Sequence, residues 1–137
     1  MAKTYNLFIS HSWSYSDAYE KLIALLKSRP YFDFRDYSVP KDDPIHNAPN
    51  SQALYDAIKR QMAPCHVVLV MAGVYATYST WIQKEITIAK TEFQLPKPVI
   101  AIKPWAQTNV SRFVMEKADE IVGWNTESVV ESIRRLG

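Results

Sequence analysis

The chain has 137 residues, 47% of them hydrophobic, which suits one domain with a sizeable core and leaves no room for a second. Sixteen Lys and Arg face 14 Asp and Glu, and no basic run exceeds two residues, so the charge pattern excludes a nucleic-acid footprint. The lone Cys65 excludes an internal disulfide, and the longest apolar stretch, Val67 to Ala72, is far short of the roughly 20 residues that span a bilayer.

The opening Met-Ala-Lys-Thr-Tyr-Asn reaches an apolar run of only three residues, unlike a signal peptide. A single cysteine fits a reducing compartment. A soluble, cytoplasmic protein with no nucleic acid and no membrane as partner is therefore expected.

In chain order, Tyr5-Asn6-Leu7-Phe8-Ile9 is rich in β-formers and runs directly into the polar Ser10-His11-Ser12-Trp13-Ser14, a strand ending in a functional-looking loop. Ser16-Asp17 offers a cap to a helix carrying Ala18, Leu22, Leu25 and Leu26, closed by Pro30. Tyr31 to Phe34 reads as a second strand, followed by Arg35-Asp36-Tyr37 and a long loop holding Pro40, Pro44 and Pro49. Asn50 or Ser51 then caps a helix with Leu54, Ala57, Ile58 and Met62 on its apolar face, ended by Pro64.

His66 to Met71 is continuous and β-branched, which fits a central parallel strand covered on both faces. After Gly73, a helix from Thr80 carries Ile82, Ile86, Ala89 and Phe93 at helical spacing. Trp81 and Glu85, four residues apart, project together from the adjacent stripe and should flank the core rather than fill it. Taken alone, this pair fits a solvated Glu favoured by the helix dipole better than a site. Pro98 to Ile102 is another buried strand, Val110 to Ala118 a short helix, Glu120 to Trp124 a last strand, and Val129, Val130, Ile133 and Leu136 mark one face of a final helix.

Five strands alternating with helices predict an α/β fold: a single domain over residues 1–137, with a flavodoxin-like parallel sheet in the order 2-1-3-4-5 and helices on both faces. In such sheets ligands bind outside the carboxyl ends of the strands, near the first and third. Ser10 to Ser14, Asp36-Tyr37 and the start of the Trp81 helix all leave strands at that edge, which moves Glu85 toward the functional reading.

With glycine only at Gly73, Gly123 and Gly137, neither a dinucleotide fingerprint nor a P-loop can be written. A phosphoacceptor receiver would need acids where Ser10-His11 stand. His11, His46 and His66 are scattered, and no metal-ligand spacing emerges. Ser10 and His11 point to opposite faces of a strand and lack the Gly-x-Ser-x-Gly frame of a serine hydrolase.

Phe8-Ile9-Ser10-His11-Ser12-Trp13, Phe34-Arg35-Asp36-Tyr37 and Trp81-Ile82-Gln83-Lys84-Glu85 together resemble the three signature regions of a TIR domain, in order and across nearly the whole chain. Within that superfamily the chain is most similar to the TIR-like proteins of the bacterial Thoeris antiphage system, the ThsB group. The resemblance implies NAD⁺ as substrate rather than a bound cofactor, cleavage at the nicotinamide-ribose bond, and Glu85 as the catalytic residue. It further implies a cyclic ADP-ribose-type signal that activates a separate NAD⁺-depleting effector. Because one helix edge and two loops form only a shallow cleft, the active state is expected to need a homo-oligomer or a trigger, such as a phage-derived one.

Around Glu85, Ser10, His11 and Ser12 are suited to ribose or phosphate oxygens, Asp36 and Tyr37 to the other end of the nucleotide, and Trp81 to walling the pocket. Many TIR domains carry an aliphatic-Pro-Gly turn where this chain has Tyr37-Ser38-Val39-Pro40-Lys41, a stiffer segment. Two functional classes stay open: an NAD⁺-processing signalling enzyme, and a non-catalytic TIR interaction module in which Glu85 only caps or packs.

Overall fold

The computed structural model describes residues 3–10, 18–37, 51–71, 80–103 and 112–137. Five strands, β1 (Thr4–Ser10), β2 (Asp33–Asp36), β3 (Val67–Met71), β4 (Val99–Ile102) and β5 (Glu120–Val122), form one sheet in the order β2-β1-β3-β4-β5. All four pairings are parallel, so both the predicted order and the predicted direction hold. The helices between and after them are α1 (Ala18–Lys27), α2 (Ser51–Met62), α3 (Thr80–Thr91), α4 (Arg112–Lys117) and α5 (Thr126–Leu136).

The β-branched run sits at the centre for a physical reason. Every residue of β3 is fully buried, which only a strand covered on both faces and paired on both edges can achieve. α1 packs beside α5, while α3 packs between α2 and α4; right-handed crossovers place the two groups on opposite faces. The edge strands differ as expected, with β2 largely exposed and β5 showing Ile121 at 42% exposure.

Several boundaries shift by one or two residues from the sequence expectation, and two of the shifts have a local cause. Tyr31 belongs to a turn and not to β2: it adopts φ 62°, a left-handed conformation that breaks an extended run, and leaves its ring exposed. Phe32 then turns inward and stacks on Tyr5 at 5.8 Å between ring centroids. β5 ends at Val122 because the chain must turn for α5, whose N-cap Asn125 accepts a hydrogen bond from the Ser128 amide at 3.1 Å. The expected caps Ser16, Asp17 and Asn50, and the proline-rich loop through Lys41, lie outside the described residues. Among the described residues no helix is long and apolar enough to cross a membrane.

Candidate functional site

Ser10 is the last residue of β1 and lies opposite Val70 of β3. Side chains alternate along a strand, so Ser10 shares a face with Phe8. α3 packs against β1, and the contact between them is polar at this point. The Ser10 hydroxyl donates to Glu85 Oε1 at 2.7 Å, an ordinary O–H···O hydrogen-bond distance.

Depth distinguishes this contact. Ser10 is 0% exposed and Glu85 1%, whereas a Glu on the flanking stripe should remain half in water. α3 has α2 on one side, α4 on the other and β1 beneath, so its buried arc is wide enough to take in Ile82, Glu85, Ile86, Ile88 and Ala89. Glu85 stands inside that arc, with Ile82 at i−3 and Ile88 and Ala89 at i+3 and i+4. Burying a carboxylate is expensive, and Glu is almost never fully buried without partners. A local rule broken at a strand's carboxyl end makes the position a candidate site.

The other residues expected at this site fall less closely together. Asp36 ends β2 opposite Leu7, three residues before Ser10, so it sits about 10 Å back along the sheet. It lines a groove of about 500 Å³ with Ile23, Lys27, Phe32, Asp33 and Phe34, on the outer edge of the sheet. Tyr37 continues the ladder, its amide donating to the Leu7 carbonyl at 2.8 Å, and its own carbonyl accepts from Gln61 Nε2 at 3.0 Å. His11, Ser12 and the Trp81 side chain lie outside the described residues.

The opposite end of the sheet holds groups of a different kind. His66, just before β3, exchanges two bonds with Asn6: its amide donates to the Asn6 carbonyl at 2.8 Å, and its Nδ1 accepts from the Asn6 amide at 2.9 Å. Nδ1 must therefore be unprotonated. Burial first, then the positive charges of Lys3 and Lys97, hold the imidazole below its usual 6.5. Burial likewise pushes the Cys65 thiol up to about 12, which keeps it protonated and inert. Lys97 donates to the carbonyls of Ala63 and Cys65 at 2.8 Å each. These are fastenings of the fold. Among the described residues no group of three or more His, Cys, Asp or Glu is placed to hold a metal ion.

His66 carries a prediction about acid stability. Its folded pKa is depressed, so the unfolded chain takes up the proton first, and the stabilisation is complete above about 6.5 and lost as pH falls through the folded value. Melting temperature should fall between pH 7 and pH 5. His66→Ala should be less stable at pH 7 by about 1 kcal/mol and show a flatter acid limb; parallel curves for the two proteins would remove His66 from the account.

The sheet order and the position of the buried carboxylate define a flavodoxin-like α/β domain with a polar contact at the carboxyl end of β1. The model of the family described as Thoeris protein ThsB, TIR-like domain, matches residues 8–109, most of the chain, and this chain belongs to that family. The matched span contains both Ser10 and Glu85. Among solved structures 13 chains match. One is a prokaryotic SEFIR domain, 16% identical, with 96% of this chain and 98% of that chain covered and a TM-score of 0.48. No curated protein matches the sequence.

Proposed function

We propose that this chain is a signalling enzyme of antiphage defence that cleaves NAD⁺ at the nicotinamide-ribose bond, with Glu85 as its catalytic carboxylate. The product is a cyclic ADP-ribose-type messenger that activates a separate NAD⁺-depleting effector. Membership of the ThsB family supports the class of chemistry. The observation that carries the reading is a glutamate at 1% exposure, bonded to Ser10 at the carboxyl end of β1.

One carboxylate suffices for this reaction. Ordinary glycosidases need a second acid to protonate an alkoxide leaving group. In NAD⁺ the bond between ribose C1′ and the cationic nicotinamide nitrogen breaks with its electron pair going to nitrogen, so the leaving group departs neutral. The site must supply negative charge near the developing oxocarbenium ion, which a carboxylate in a low-dielectric setting does strongly. The adenosine portion of the same molecule then attacks C1′, giving up a proton as the new bond forms, where water is excluded. In this reading Trp81 walls the pocket, His11 and Ser12 hold ribose or phosphate oxygens, and Asp36 and Tyr37 meet the far end of the nucleotide.

The test is direct. The protein is incubated with NAD⁺, with and without infected-cell lysate, and nicotinamide release and effector activation are measured. Neither product under either condition overturns the proposal. A carboxylate at 1% exposure is reached by substrate only after neighbouring atoms move, so turnover per chain should be low in dilute solution and rise with protein concentration or trigger. Robust turnover by a demonstrably monomeric sample contradicts that dependence.

The same burial favours a second reading, a non-catalytic TIR interaction module in which the Ser10–Glu85 contact only joins α3 to β1. The two readings part at Glu85→Gln.

A further inference from the structure

We propose that Ser10 is the positioning residue of the site: its buried hydroxyl fixes the direction in which the Glu85 carboxylate presents its charge, and it does not touch substrate. This rests on the reading of Glu85 as the catalytic group. Ser10 was expected among the residues that bind nucleotide oxygens, yet its side chain has no accessible surface, and its proton is directed at Glu85 Oε1 at 2.7 Å.

The arrangement suits positioning. Ser10 is held by the β1–β3 ladder, whose last rung pairs it with Val70, so its Cβ direction is set by the most deeply buried part of the sheet. Glu85 reaches from a different element, α3, along a side chain with several rotatable bonds. Left alone, such a chain samples many carboxylate directions. A hydrogen bond from a strand-fixed donor narrows that freedom before substrate arrives, and electrostatic stabilisation of a transition state depends on such preorganisation. The donor's own oxygen stays neutral, so the bond orients the carboxylate without cancelling its charge, as a Lys or Arg would.

Three roles for Ser10 predict different results. A positioning residue affects kcat more than KM; a substrate contact affects KM; a space-filler tolerates any residue of equal volume. Ser10→Ala deletes the donor, and Ser10→Cys keeps the volume with only a weak one. Nicotinamide release by triggered full-length protein should show kcat lowered roughly 10- to 100-fold in Ser10→Ala, KM within about threefold, and Ser10→Cys in between. A raised KM with unchanged kcat, or full activity in Ser10→Cys, overturns the proposal.

A second readout does not require turnover. In protein labelled with carboxyl-¹³C glutamate, the infrared difference between wild type and Glu85→Gln isolates the Glu85 carboxylate band. That band should shift in Ser10→Ala and shift less in Ser10→Cys, and an unmoved band overturns the proposal. If wild type releases no nicotinamide under any condition, the enzymatic reading fails by itself, while the infrared result still decides whether Ser10 governs Glu85.

Discussion

Glu85→Gln is expected to leave the protein folded and to abolish messenger production. Glutamine keeps the length of the side chain and a carbonyl oxygen that can accept the Ser10 hydroxyl, so the contact between β1 and α3 survives. The site is buried, with Glu85 at 1% exposure, and a neutral amide costs less to desolvate than a carboxylate. Stability should therefore stay within about 1 kcal/mol of wild type or rise slightly, against a typical total of about 5–15 kcal/mol. Activity should respond quite differently. Removing one preorganised electrostatic group typically costs about 10²–10³ in rate, and the amide has no net charge to offer an oxocarbenium ion. Thermal melting and nicotinamide release on the same samples decide the matter. A variant that melts with wild type and makes as much messenger sinks the enzymatic reading and leaves the interaction module.

The sheet was legible because its signals are local and redundant. The run from Val67 to Met71 is apolar at every position, and only a doubly covered strand buries all five; the alternation of strands and helices then leaves few topologies for a right-handed chain. Tyr31 was misplaced because its aromatic ring raises strand propensity, whereas the left-handed φ of 62° is imposed by the turn out of α1. No residue-type signal announces that in a tyrosine.

The placement of Glu85 on a helix beside the core was legible, but its depth was not. Its place on a stripe beside Ile82 and Ile86 suggested a flank, and the width of the buried arc depends on how many neighbours the helix has. That is a tertiary property, here the presence of α2 and α4 on either side of α3. One clue was available: Ile88, fully buried, lies three residues after Glu85 and widens the apolar face to include it. Ser10 was legible as a polar residue at a strand's carboxyl end, but its partner Glu85 stands on α3, an element 70 residues later in the chain.

The double replacement Ser10→Ala with Glu85→Leu should give a protein that is inactive and at least as stable as wild type. Each single change removes one side of the Ser10–Glu85 bond. Glu85→Leu leaves a buried hydroxyl without its acceptor, at about 1–3 kcal/mol, and Ser10→Ala leaves a buried carboxylate without this donor, at a similar or larger cost. Changing both exchanges a polar pair for two apolar groups of comparable size, which is often neutral or stabilising. The helix favours the outcome: Ile82, Ile86, Ile88 and Ala89 are already buried on the same face of α3, so leucine extends an existing apolar arc. The two singles should therefore not add, with a coupling of about 1–3 kcal/mol, and the double should melt above both. Residues kept at a cost to stability are kept for function, so a double variant as stable as wild type and without activity identifies the pair as a site. If it is instead less stable than either single, the Ser10–Glu85 contact is structural, and the catalytic reading loses its principal observation.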